Sequence, residues 1–192
     1  MAQINLAETI QKNLGFPPLQ KINPNTQEVK EESGQYPENK LSQGAIPSVL
    51  AGLYLFATSD QGAATILGGN SSTNWVDAIY DNKSAEAAQK VAEYASTDAS
   101  TAKSAMERIA GEAVRIAREQ LPSDASPRQI NDFFTGQRDK ILIYLPPALQ
   151  IGQLLKDNTL DDRTNKMEGP ISGLMHKIEK AFSSGKNDEA TR

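Results

Sequence analysis

Cysteine is absent from this chain, which excludes thiol nucleophiles, thiolate zinc sites, iron–sulfur clusters and disulfides. Histidine occurs once, at His176, so any imidazole-dependent catalysis would rest on one residue. Aromatic residues make up only 6% of the sequence and hydrophobic ones 38%. A core drawn mainly from Ala, Leu, Ile and Val suits closely packed helices better than a sheet sandwich, which favours β-branched and aromatic side chains. No block of like charges is present: 20 Lys and Arg stand against 24 Asp and Glu, a net charge of −4. A nucleic-acid binder needs a basic patch to neutralise phosphates, and a polybasic membrane anchor needs a basic cluster; the sequence shows neither. The opening "MAQINLAETI" has neither the basic region nor the apolar run of a secretory signal, which points to a cytoplasmic protein of bacterial type.

What is present reads as helix. Residues 3–14 place Ala7, Ile10 and Leu14 on one face, and Gly15 with Pro17 and Pro18 ends the run. Residues 17–40 carry four prolines and, between Ile22 and Tyr36, Val29 as the single apolar side chain. Such a stretch reads as a linker or a surface-draped loop. Further on, Thr58-Ser59-Asp60-Gln61 fits a capping box. Residues 84–96 put Ala88, Val91, Ala92 and Ala95 together. The clearest amphipathic helix is 99–120, whose stripe is Ala102, Ala105, Met106, Ile109, Ala113, Ile116 and Ala117. Ser126-Pro127-Arg128-Gln129 opens another helix, with proline at its first position. Gly169-Pro170 starts a last one, striped by Ile171, Leu174, Met175, Ile178 and Phe182. The expected organisation is an N-terminal helix (1–16), a polar linker (17–40), a helical domain (41–183) and a polar tail (184–192). The fold class is all-α, with about seven to nine helices.

Two segments look alike. "AIPSVLAGLYLF" (45–56) and "YLPPALQIGQLL" (144–155) share Pro47 with Pro147, Gly52 with Gly152, and apolar residues at matched spacings. The first has an apolar run of about thirteen residues, short of the roughly 20 that a membrane-spanning helix needs. The shared pattern contains no nucleophile, acid, base or metal ligand. As packing elements the segments make sense: proline opens a first turn without needing its N–H, and glycine lets another backbone approach. They are expected to form a pseudo-repeated helical core, with Gly52 and Gly152 at close helix crossings and a possible groove between the two.

"LSQGAIPSVLAGLYLFATSDQGAATIL" (41–67) resembles the first block of the bacterial YidB-like domain of unknown function, through Pro47, Leu50, Gly52, Leu53 and the Ser59-Asp60-Gln61-Gly62-Ala63 turn. "YLPPALQIGQLLKD" with the following "GPISGLMHKI" is similar to that family's second block. The resemblance covers about half the chain and implies an all-helical fold. It implies no activity.

The remaining constellations have ordinary readings. His176 lies about 140° from the centre of its helix's apolar stripe and is expected to face solvent. "DNTLDDRTNKME" (157–168) places Asp157, Thr159, Asp161, Asn165 and Glu168 at calcium-loop positions, but Asp162 stands where that loop requires glycine. "LGGNSST" (67–73) lacks the Lys-Ser/Thr of a P-loop and fits a helix C-cap at Gly68 or Gly69. Trp75 opens a helix, either as a contact anchor or as a partly buried core residue. Glu107, Glu112 and Glu119, interleaved with Arg108, Arg115 and Arg118, read as a solvated network on the outer face of helix 99–120. The sequence implies no catalytic residue, cofactor or metal, and no nucleic-acid or membrane partner. The expected role is a non-enzymatic helical domain acting through protein contacts, with another protein or with itself. The alternative is a binder of an apolar small molecule in the cleft between the two matched segments.

Overall fold

The structure, a computed structural model, describes residues 4–22, 37–70, 72–157 and 160. In chain order its α-helices are α1 (Leu6–Asn13), α2 (Pro37–Phe56), α3 (Asp60–Gly68), α4 (Trp75–Tyr80), α5 (Ser84–Ala95), α6 (Ala99–Glu119), α7 (Pro127–Thr135), α8 (Arg138–Leu142) and α9 (Ile151–Leu155). Single 3₁₀ turns lie at Asp81–Lys83 and Pro147–Leu149, and no strand occurs among the described residues. The protein is all-α there, as its composition requires.

A helix that is apolar all round must be enclosed by others, and α2 is that helix. Every residue from 42 to 53 is buried, and α1, α4, α5, α6, α7, α8 and α9 all pack against it. Its buried polar side chains, Ser42, Gln43 and Ser48, are used inside the protein. The Ser48 hydroxyl donates to the Gly44 carbonyl at 2.6 Å, and the Tyr80 hydroxyl reaches the Ser48 carbonyl at 2.7 Å. The small residues of α5 (Ala87, Ala88, Ala92) and of α6 (Ala102, Ala110, Ala113, Ala117) are buried and let these two helices pack closely on each other and on α2. All seven stripe residues expected for helix 99–120 are buried. Ser126 caps α7 with Pro127 at its first position, its N–H donating to Gln129 Oε1 at 2.9 Å.

Four expectations need correction. First, the N-terminal helix expected to stand apart from the helical domain packs into its core. Leu6 and Ile10 are fully buried, the Leu6 N–H donates to the buried Gln137 side chain at 3.0 Å, and the Lys140 ammonium donates to the Ile4 carbonyl at 2.8 Å. Second, the linker assigned to 17–40 is structured at both ends. Ile22 is buried and its N–H donates to the Ile143 carbonyl at 2.8 Å, while residues from 37 onward belong to α2. Proline 24 and Val29 lie outside the described residues, as do His176 and the helix expected after Gly169-Pro170.

Third, the cap of α3 is Ser59, whose hydroxyl accepts the Gly62 N–H at 3.0 Å; Thr58 instead donates to the Leu55 carbonyl. Glycine at the third helical position has no side chain with which to reciprocate, so the box read at Thr58–Gln61 does not form. Fourth, the two matched segments adopt different conformations. Pro47 sits in the interior of one long helix. Pro147 opens a 3₁₀ turn that breaks at Gln150, in the left-handed region at φ 49°, before the short α9 that carries the buried Gly152. Burial of α2 on all sides holds its helix through Pro47, whereas the second copy begins Pro146-Pro147, which favours an extended residue before the turn.

Candidate functional site

Two open clefts of the described surface lie along α6. The larger, about 680 Å³, lies between α6 and the loop that joins α3 to α4; Asn70, Asn74, Trp75, Arg108, Arg115 and Arg118 are among its walls. The second, about 660 Å³, runs between α5 and the first half of α6 past Asp77, Ala88, Gln89, Ser100 and Lys103. Asn74 and Glu107 border both.

The ridge between the clefts is built around the start of α4. Asn74 occupies the N-cap position there but makes no side-chain cap bond, so the first amides of this helix need another acceptor. Glu107 supplies it from α6: Oε2 accepts the Trp75 N–H at 2.8 Å and Oε1 the Val76 N–H at 3.1 Å. Partial burial raises the carboxyl pKa; the two amide bonds pull the other way, nearby Asp77 adds to the rise and Lys103 opposes it. Asp77 is held below the usual carboxylate range chiefly by its bond to Lys103, a 2.7 Å ion pair. Two acids with oppositely shifted pKa values in one cleft would attract a catalytic reading. Here both oxygens of Glu107 are bound to backbone, and the Asp77 pair ties α4 to α6.

The arginines of the larger cleft differ from one another. Arg115 is charge-matched: Nε and Nη2 take both oxygens of Glu112 at 2.8 and 2.7 Å, and Nη1 pairs with Glu119. Arg118 donates Nε at 2.6 Å, and also Nη2, to the carbonyl of Ile66 in the last turn of α3. That carbonyl lacks an intrahelical partner, and a cation at a helix C-terminus also opposes the helix dipole. Partial burial lowers the Arg118 pKa, and no carboxylate pairs with it among the described residues. Arg108 lies 5.9 Å over the Phe16 ring and likewise has no acid partner there. The expected solvated network is therefore real only around Arg115. Glu107 and Arg118 instead bind backbone of other helices.

The residues singled out by pattern fall elsewhere. Pro47, Gly52, Pro147 and Gly152 line neither cleft. Gly52 opens no groove: a Cβ built on it would stand 2.5 Å from Ile79 Cγ2 and 3.2 Å from the Tyr80 ring, so α4 already fills that space. On the Gly52 side the glycine serves a helix crossing. Trp75 is 5% exposed and belongs mainly to the core, with one edge on the larger cleft. The tight fit extends to Gly69, the cap of α3, where a Cβ would lie 2.5 Å from Trp75 Cη2. Of the calcium-like loop, only Asp157 and Leu160 lie among the described residues, apart from which it stands outside them. No group of three His, Asp or Glu able to hold a metal occurs among the described residues. No single described helix is long and apolar enough to cross a membrane; α2 and α3 pass such a test only jointly, across a 116° bend.

No local pattern marks Glu107 or Arg118 as binding backbone, since their partners are 32 and 52 residues away. Comparison with protein-family models, curated proteins and solved structures finds no match.

Proposed function

We propose that this chain is a non-enzymatic helical interaction module of the cytoplasm, working through contacts with another protein or with a second copy of itself. The observation that carries this reading is how the polar groups are used. Along α6 the carboxylates bind backbone amides or arginines, and the buried polar side chains of α2 bond to backbone. Open to solvent beside them are two clefts that share α6 as a wall, a surface suited to a polypeptide. The resemblance of 41–67 and of 144–157 with the following GPISGLMHKI to YidB-like domains is compatible with this reading, since it implies no activity.

A photo-crosslinking residue at position 111, on the wall of the larger cleft, tests it against the same residue at position 86, exposed on α5 and outside both clefts. In native lysate the first should yield a discrete crosslinked species, either a dimer of the chain or one other protein, and the second should not. Equal, diffuse labelling from both positions would overturn the proposal.

A further inference from the structure

Resting on that reading, we propose that the larger cleft is the docking site for an extended acidic segment of a partner protein, gripped by Arg108 at one end and Arg118 at the other. The chain carries a net charge of −4, yet this cleft gathers three arginines. The two acids that also border it are occupied, Glu107 by the α4 amides and Glu119 by Arg115. Arg115 is matched by its own carboxylates, which leaves Arg108 and Arg118 as cations without an acid partner among the described residues. The partly buried Arg118 guanidinium has no counter-charge among the described residues, which is costly to maintain and which an incoming carboxylate would offset. Arg108 is exposed and adds an open cation.

The geometry favours a peptide over a small anion. Arg108 and Arg118 are ten residues apart on one continuous helix, a rise of about 15 Å. No single carboxylate or phosphate spans that distance. An extended chain advances about 3.3 Å per residue, so acidic side chains about four or five residues apart would meet both cations. Arg118 is already fixed by the Ile66 carbonyl through Nε and Nη2; Nη1 takes no part in those bonds, and the guanidinium therefore loses little freedom on binding. Asn70 and Asn74, both exposed on the cleft wall, offer side-chain amides to the backbone of such a segment.

The test is fluorescence anisotropy of the full chain with a fluorescein-labelled peptide bearing two glutamates four residues apart, beside the same peptide with glutamine at both positions. The glutamate peptide should bind at least about tenfold more tightly, with an affinity that falls as salt rises. In Arg108→Gln, whose side chain makes only the Phe16 ring contact, that preference should shrink severalfold while the melting temperature holds. Arg118→Lys keeps a donor for Ile66 and should weaken the glutamate peptide while leaving the glutamine peptide unchanged. Equal affinity for the two peptides, no saturable binding of either, or an undiminished preference in Arg108→Gln would each overturn the proposal. Displacement of the glutamate peptide by equimolar inorganic phosphate would overturn it too, by showing a small-anion site. If the peptides fail but crosslinking from position 111 still yields a discrete species, the interaction-module reading stands and only the acidic preference falls.

Discussion

Ile79 on α4 lies directly over Gly52 on α2, so close that a Cβ on the glycine would stand 2.5 Å from the isoleucine Cγ2. The glycine is thus a requirement of the α2–α4 crossing. Gly52→Leu should destabilise the protein by about 1–3 kcal/mol or more through overpacking, seen as a lower melting temperature. On an open helix face the same change would instead stabilise, by up to about 1 kcal/mol of helix propensity. Pairing Gly52→Ala with Ile79→Ala, which removes the Cγ2 that the new Cβ would meet, should show a favourable coupling in a double-mutant cycle. Melting at or above the wild-type temperature for Gly52→Leu would disprove the crossing.

Features that depend on local pattern were legible in the sequence. The α6 stripe follows helical periodicity, and Ser126-Pro127 announces α7 within four residues. Gly52 was recognisable as a packing glycine, although its supposed twin was not equivalent: the surroundings of a proline, and not its spacing, decide whether a helix continues through it. The candidate site was not legible. Its geometry depends on Glu107 reaching α4 and Arg118 reaching α3, and from sequence both residues look like ordinary members of an exposed charged face. Gln43 hides in the same way, since its partner Tyr144 is 101 residues distant.

Glu107 makes stability depend on pH in a specific direction. Burial raises its folded-state pKa above the ordinary value of 4.5, so between the unfolded and folded values the native state binds more protons. Its contribution to stability is then fullest below the unfolded value and declines as pH rises through the folded one. Denaturant midpoints of wild type and Glu107→Gln, compared at about pH 7.5 and about pH 4.5, should move in favour of wild type at the lower pH. A difference independent of pH would rule out the raised pKa. Glu107→Ala removes both amide acceptors and should cost about 1–3 kcal/mol at either pH.

Gln43 joins three parts of the chain. Its Oε1 accepts the Gln20 N–H at 2.8 Å, and its Nε2 donates to the carbonyls of Gln20 at 3.0 Å and Tyr144 at 2.6 Å. Gln43→Glu keeps the shape but turns a two-bond donor into a carboxylate facing two carbonyls. It should lose at least about 2 kcal/mol at neutral pH, more than an equally buried Gln43→Met. Hydrogen exchange adds a local readout: the amides of Gln20 and Ile22 should exchange faster in Gln43→Met, which removes the acceptor of the Gln20 N–H, with the core of α6 unchanged. Unaltered protection at residue 20 would show that the side chain does not hold that segment.

The last prediction uses the only tryptophan. Trp75 is almost fully buried, and Gly69 approaches it so closely that a Cβ there would lie 2.5 Å from Cη2, 2.8 Å from Cζ2 and 2.9 Å from the Thr65 carbonyl oxygen. The ring cannot yield inward without disturbing the core, and the Thr65 carbonyl is fixed by the Gly69 N–H at 2.7 Å. Gly69→Val must therefore push the indole toward the larger cleft or break the cap of α3. Either movement hydrates the ring, so its fluorescence should shift to longer wavelength in the folded protein, with a destabilisation of about 1–3 kcal/mol. Gly68 provides the control, because a Cβ there meets nothing within 4 Å. Gly68→Ala should leave the emission maximum in place and hold or raise the melting temperature. Identical spectra for Gly69→Val and wild type would show that the glycine does not set the position of Trp75.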